Sequence, residues 1–203
     1  MAGTSEPLLE GDVDPDPLVQ FGRWFEDAAA VVAHPESMAV ATADRHGQPS
    51  VRMVLLKGWG DDGFTFHTNF GSRKGHELAD NPRAALLFYW EPRGRQVRIE
   101  GTAEYTGDEE SDAYFATRPR GAQIGAYASH QSEVVDSRAQ LDERTEALRV
   151  DFDGHPVPRP PWWGGIRVKP AVYEFWQNRD DRLHDRLRYR PGPAGWEITR
   201  LQP

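Results

Sequence analysis

The chain has 203 residues, enough for one domain with a sizeable core or one subunit of an intimate dimer. Its 32 acidic and 24 basic residues leave a formal charge of -8, which disfavours general attraction to nucleic acid or an anionic membrane; any anion must be captured locally. There is no cysteine, which excludes disulfides, thiolate nucleophiles and sulfur-ligated metals, and there is no bilayer-length apolar run or signal-peptide start, so the chain reads as cytoplasmic.

Residues 1–15 are acidic, contain Pro and Gly and lack aromatics, so they read as a flexible tail ahead of a single folded domain over 16–203. Asp16 and Pro17 have the chemistry of a helix N-cap and first helical position. Leu18, Phe21, Phe25, Ala28 and Val32 follow at helical spacing for about four turns, which His34-Pro35 ends. Strands are expected over 38–43, 50–57 and 64–68, separated by polar and glycine-containing turns, and the three read as an antiparallel meander.

Ser72 is placed to cap a short helix over 73–80, which Asn81-Pro82 stops. Arg73 and Lys74 occupy its first turn, where the helix dipole disfavours cations. An anion bound there relieves the conflict; the alternative is an exposed cap with two solvated side chains. The apolar run 84–90 reads as a buried central strand and 95–101 as its neighbour. A helix over 108–117 puts Tyr114 and Arg118 four apart on one face, if it extends that far. The following RGAQIGAYASHQS reads as a Gly/Ser-rich loop. Ser137 to Gln140 resembles a capping box, opening a helix whose Leu141, Leu148 and Phe152 form a buried stripe.

A short strand over 166–168 precedes a strand-turn-strand hairpin over 174–190, and a last strand covers 196–201. Alternation on the second hairpin strand points Arg182, His184, Arg186, Arg188 and Arg190 one way, and Leu183, Leu187 and Tyr189 the other. The cationic ladder is either a solvated edge that discourages edge-to-edge pairing or half of an anion site. About seven or eight closely spaced strands with peripheral helices indicate an α+β, mostly β protein built as a small antiparallel barrel.

The strings Arg52-Met53-Val54-Leu55-Leu56-Lys57, Thr68-Asn69, Ser72-Arg73-Lys74-Gly75, Arg95-Gln96-Val97, Tyr114 with Arg118-Pro119-Arg120, His130-Gln131-Ser132, Glu174-Phe175-Trp176-Gln177 and Arg182-Leu183-His184-Asp185-Arg186 together resemble the pyridoxamine 5'-phosphate oxidase family, in order from about residue 16 to the end. The resemblance implies a homodimer of split β-barrels with FMN in each of two interface clefts. It assigns FMN to Arg52, Met53, Val54, Leu55, Lys57, His67, Thr68, Arg73, Lys74, Gln96, Gln131, Ser132, Trp176 and Arg186. It gives the substrate phosphate to Lys57, Tyr114 and Arg118, and the pyridine ring to Arg182 and His184 as the catalytic pair.

The implied reaction oxidises pyridoxamine or pyridoxine 5'-phosphate to pyridoxal 5'-phosphate, with dioxygen as acceptor. Arg182 and His184 are expected to orient the substrate rather than perform obligatory acid/base chemistry. Arg52 and Lys57 have opposite strand parity, so a bulge, a twist at the strand end or the second subunit must reconcile them.

The chain also departs from the family. Ala122 replaces a serine that commonly touches the substrate phosphate. The first 17 residues lack the Arg, Lys and Tyr of the family's N-terminal lid. His67 stands where an aromatic is common, with little consequence expected. Three rivals follow: a same-fold flavin oxidase acting on another aromatic, of the phenazine-biosynthesis type; a non-catalytic FMN- or pyridoxal-phosphate-binding protein; and a plain scaffold with surface ion pairs.

Overall fold

The structure, a computed structural model, describes residues 6–203. Its strands are β1 (Ser37–Ala43), β2 (Pro49–Leu55), β3 (Gly58–Gly60), β4 (Gly63–Asn69), β5 (Arg83–Trp90), β6 (Arg95–Tyr105), β7 (Trp163–Gln177), β8 (Asp185–Gly192) and β9 (Gly195–Arg200). The helices are α1 (Pro17–Ala29), α2 (Arg73–Asp80), α3 (Asp108–Thr117), α4 (Arg120–Ala128) and α5 (Arg138–Asp151). All described strands join one antiparallel sheet in the order β2-β1-β5-β6-β7-β4-β3, with β8 on β7 and β9 on β8.

β7 is the fork that turns this sheet into a half-barrel. It pairs with β6 along its length, while its first half pairs with β4 and its second half with β8. Pro170 sits between those two partnerships, where a missing N–H costs least. Opposite it, the β6 register shifts between Glu100 and Gly101, and a Cβ at Gly101 would collide with the Lys169 carbonyl, so only glycine permits the close crossing.

α1 closes the concave face. The Asp16 side chain accepts from the Leu18 N–H at 2.8 Å, as expected of a cap, and the helix then buries Phe21, Trp24 and Ala28. Phe21 lies edge-on to Phe64 at 4.9 Å and to Phe88 at 5.1 Å, in the favourable aromatic geometry. A second, smaller core of Phe115, Ile124, Val157 and Trp163 sits under α3 and α4.

Several expectations change. The tail predicted over 1–15 includes residues 1–5, which lie outside the described residues. Beyond them the chain is a docked strap: Leu8 and Val13 are buried, the Leu8 N–H donates to Asp185 at 3.1 Å, and Arg200 pairs with Glu10 at 2.8 Å. The meander fails at its third strand, because β4 pairs with β3 and β7 rather than β2. The stretch read as a Gly/Ser loop contains α4, whose Ile124 and Ala128 pack at helical spacing despite Gly121 and Gly125. α5 starts at the Ser137 cap, but Leu141, Leu148 and Phe152 are only half-buried. The run 84–90 buries Ala84, Leu86, Phe88 and Trp90, while Tyr89 is 57% exposed. Among the described residues no helix is long and apolar enough to cross a membrane.

Candidate active site

β2 is an edge strand, with Val51, Met53 and Leu55 exposed on one side and Arg52 and Val54 half-buried on the other. It ends at Leu55; Leu56 turns into the core, and the Lys57 N–H then bonds the Thr65 carbonyl at 2.8 Å. That break in alternation reconciles the opposite parities of Arg52 and Lys57, which line one cleft of about 960 Å³. Met53, Val54, Leu55, His67, Thr68, Arg73, Lys74, Tyr114, Arg118, Gln131 and Ser132 line it too.

The Ser72 cap expected at α2 is present, its Oγ accepting from the Gly75 N–H. A Cβ at Gly75 would strike the Phe70 carbonyl, so glycine lets the first turn sit tightly under the preceding loop. Lys74 is thereby buried, with Nζ donating to Ser72 at 2.9 Å and to Gln131 at 2.6 Å. Burial, with Arg52 adding positive charge nearby, pulls the Lys74 ammonium down to about 8. Gln131 also accepts from Thr68 at 3.2 Å, which ties the 129–132 loop to β4.

Arg52 and Arg73 converge on one buried carboxylate that the sequence reading missed. Glu77 pairs with Arg73 at 2.8 Å and Arg52 at 3.3 Å, and accepts from Thr42 and Ser50. Burial alone would raise its pKa, but these hydrogen bonds and the Arg52 charge hold it at about 2. The available signal was helical spacing, since Glu77 lies four residues after Arg73.

On the far wall, Arg118 lies over the Trp163 ring at 4.5 Å. Its Nη1 is buried with no hydrogen-bond partner, and burial lowers its pKa. His67 stacks on Tyr114 at 3.9 Å, and both of its ring nitrogens are buried without partners. Burial, then the Arg118 and Lys57 charges, depress it to about 4, so the ring is neutral near pH 7.

Gln96, Trp176, Arg182, His184 and Arg186 do not line this cleft. Gln96 pairs with Trp176 and Trp176 with Arg186, making one cross-strand row over β6, β7 and β8. Trp176 also braces the His184 ring at 4.6 Å. The expected cationic ladder is shorter than predicted, because β8 begins at Asp185. Arg182 belongs to a 3-10 turn and Leu183 is 70% exposed, although Leu187 and Tyr189 are fully buried as anticipated. Arg186 is paired with Glu174 at 2.8 Å, and Glu174 also holds Arg98 at 2.6 Å.

Backbone strain marks both places. Among the described residues, Ser132, Asp181 and Arg182 have left-handed φ without being glycine. Such conformations cost about 1 kcal/mol or more each and concentrate where a side chain must be presented.

The forked half-barrel, its edge cleft rich in cations and its second polar row define a split β-barrel protein. Residues 25–154 match the family model described as "Pyridoxamine 5'-phosphate oxidase", and residues 163–203 match "Pyridoxine 5'-phosphate oxidase C-terminal dimerisation region". The chain belongs to the pyridoxamine 5'-phosphate oxidase family, a family of oxidoreductases. It is 58% identical over 202 residues to the pyridoxine/pyridoxamine 5'-phosphate oxidase of Rubrobacter xylanophilus, covering 98% of this chain and 93% of the relative. The enzyme of that name from Cupriavidus taiwanensis is 56% identical over 198 residues, covering 97% and 93%. Among solved structures, PhzG from Burkholderia lata, in complex with tetrahydrophenazine-1-carboxylic acid, superposes with a TM-score of 0.91 at 35% identity, covering 99% of this chain and all of that one.

Proposed function

We propose that the protein is an FMN-dependent oxidase that converts pyridoxamine 5'-phosphate and pyridoxine 5'-phosphate to pyridoxal 5'-phosphate with dioxygen as acceptor. It acts in the cytoplasm as a homodimer. The observation that carries this reading is the half-buried Arg118, whose Nη1 is buried without a partner on a cleft shared with Lys57 and Tyr114. A buried unsatisfied charged donor costs free energy until an anion arrives, and a phosphoryl group fits that demand.

The residues present also fit a flavin mononucleotide. The cleft, at about 960 Å³, is at the upper end of the roughly 300–1,000 Å³ range of small-molecule sites. Arg52, Arg73, Lys74, Thr68, Gln131 and Ser132 supply one group of polar contacts on its wall, distinct from the Lys57–Tyr114–Arg118 group. Two phosphoryl groups can thus be neutralised separately. FMN, when bound, supplies the two-electron acceptor for the substrate carbon and the means of passing those electrons to dioxygen.

The chain's own part is placement. Lys57, Tyr114 and Arg118 hold the substrate phosphate, and the strained turn at Asp181-Arg182 presents Arg182 toward the substrate ring. His184 accepts from the Arg179 N–H at its Nδ1, 3.1 Å away. In the neutral ring Nε2 therefore carries the proton and serves as a donor, which suits orientation rather than proton abstraction.

Dimerisation supplies the missing wall. β7 reaches the cleft at its first residue, Trp163, whereas Trp176 lies thirteen residues further along, roughly 40 Å of strand at about 3.3 Å per residue. The cleft and the Trp176 row therefore serve one ligand only if a second copy brings its row to this cleft. Tyr89, exposed on β5 between them, gives that copy an apolar seat, continued by Val51 and Met53 at the rim of the cleft.

A second reading has specific support: the PhzG likeness and Ala122, which removes a hydroxyl from the cleft, favour an oxidase of a phosphate-free aromatic. Peroxide release from the FMN-loaded protein with both phosphorylated vitamers and with unphosphorylated aromatics separates the two. Turnover confined to phosphorylated substrates is expected. Equal turnover of a phosphate-free aromatic would overturn the first reading, and yellow protein without peroxide would make it a binding protein.

A further inference from the structure

The resemblance places His67 beside FMN without giving its ring a role, yet it is the least satisfied side chain in the cleft among the described residues. Both ring nitrogens are buried without partners. It stacks on Tyr114 at 3.9 Å and 19°, with the Trp163 ring near-parallel and offset beside the pair at 5.2 Å and 17°. The ring cannot turn out to water without unstacking. Lys57 and Arg118, the cations assigned to the substrate phosphate, stand near the ring. A second hollow, which His67 and Lys57 also line, holds Glu110 of α3 and Arg167 of β7, paired at 2.7 Å, and Asp62.

We infer that His67 is a positioning residue for the substrate's phosphoryl group, taking up a proton when that group binds and becoming the third cation around it. The inference rests on the phosphate reading of the Lys57–Tyr114–Arg118 cluster and deepens it. Without ligand, burial and then the Arg118 and Lys57 charges keep the imidazole neutral. A phosphoryl dianion between those cations reverses the sign of the local field and offers acceptors to the buried ring nitrogens. Arg118 Nη1, orphaned in the same way, finds its acceptor in the same event. Binding should therefore consume protons, and affinity for the dianion should fall as pH rises through the liganded pKa of His67.

The test is calorimetric titration of the FMN-loaded protein near neutral pH, in buffers of different ionisation enthalpy, with pyridoxal 5'-phosphate and with pyridoxal. Wild type is compared with His67→Phe, which keeps a stacking ring, and with His67→Gln, which keeps hydrogen bonding without titration. The wild type should take up more protons than either variant on binding pyridoxal 5'-phosphate, and both variants should bind it about tenfold or more weakly. Pyridoxal should show neither difference. Equal proton uptake in all three proteins, with a preference for the phosphorylated ligand intact, overturns the role of His67 alone. No preference for the phosphorylated ligand in wild type overturns the phosphate reading and this inference with it. FMN titrated into apoprotein forms the remaining arm: His67-dependent proton uptake there, and none with pyridoxal 5'-phosphate, would assign His67 to the flavin's phosphate instead.

Discussion

Glu77 and Glu174 are both buried, and each holds two arginines, yet their surroundings differ. Glu77 joins Arg52 and Arg73 on the wall of the cleft, and close by, Arg118 Nη1 and both His67 nitrogens have no partners. Glu174 joins Arg98 and Arg186 across β6, β7 and β8. In that row the only orphan among the described residues is Arg188 Nε, whose guanidinium still donates to Thr199. The contrast teaches that a buried carboxylate can fix the direction of a cation before any ligand arrives, while demand for the ligand's charge is concentrated elsewhere. The row around Trp176 is a finished wall. The cleft is a receiving surface with polar atoms in deficit.

The comparison breaks most completely if the two regions never meet. Tyr89→Asp places charge on the exposed outer face, outside the lining of the cleft and without touching the core, since this side chain is 57% exposed. The expected outcome is a folded monomer that no longer retains FMN, read by light scattering and flavin absorbance. A monomer that keeps FMN at wild-type affinity would mean that one protomer completes the site alone.

Next in size is the loss of the Glu77 charge. Its pKa is held at about 2 against an ordinary 4.5, so it stabilises the fold above about pH 4.5, and that contribution disappears as pH falls toward 2. Glu77→Gln should cost about 2–3 kcal/mol at neutral pH and flatten the acid limb of the stability curve, measured by denaturant unfolding across that range. FMN affinity should fall with it, because Arg52 and Arg73 lose their common anchor.

Arg118→Ala sharpens the contrast from the other side. It removes an orphan rather than a satisfied group, so stability should change little. The kcat/KM for pyridoxine 5'-phosphate should drop about 10–150-fold, one charge-assisted contact, with FMN retention unchanged. A loss of stability in place of that kinetic effect would recast Arg118 as a structural cation held over Trp163.

Much of the fold was legible from local chemistry, while the residues of the cleft came from the family resemblance. The Asp16 and Ser72 caps, the span of α3 and the buried pair Leu187 and Tyr189 all follow from spacing and residue type. What escaped depends on distant partners. The strap around Leu8 is anchored by Asp185, 177 residues away, and nothing local in an acidic, Pro-containing stretch reveals that. β7 reads locally as two short strands, yet Gly164 and Gly165 are paired with β4 and Pro170 lies where one continuous strand exchanges β4 for β8. α4 was hidden by Gly121 and Gly125, which weaken helix propensity without preventing Ile124 and Ala128 from packing. Glu77 and Trp163 joined the site only once the fold brought them to Arg52 and Arg118.

The smallest prediction tests the cleft by addition rather than removal. Ala122 lines it from the first turn of α4, where its N–H donates to the Pro119 carbonyl at 2.8 Å and its side chain offers no polar atom. Ala122→Ser places a hydroxyl on the same wall as Arg118 without adding charge. One neutral hydrogen bond is worth about 0.5–1.5 kcal/mol, so the KM for pyridoxine 5'-phosphate should fall about 2–12-fold while kcat stays within error. A gain restricted to phosphorylated substrates places the phosphoryl group beside α4. An equal gain for an unphosphorylated aromatic would mean that this wall meets the ring rather than the phosphate, and the orphaned donors of Arg118 and His67 would then need a different anion.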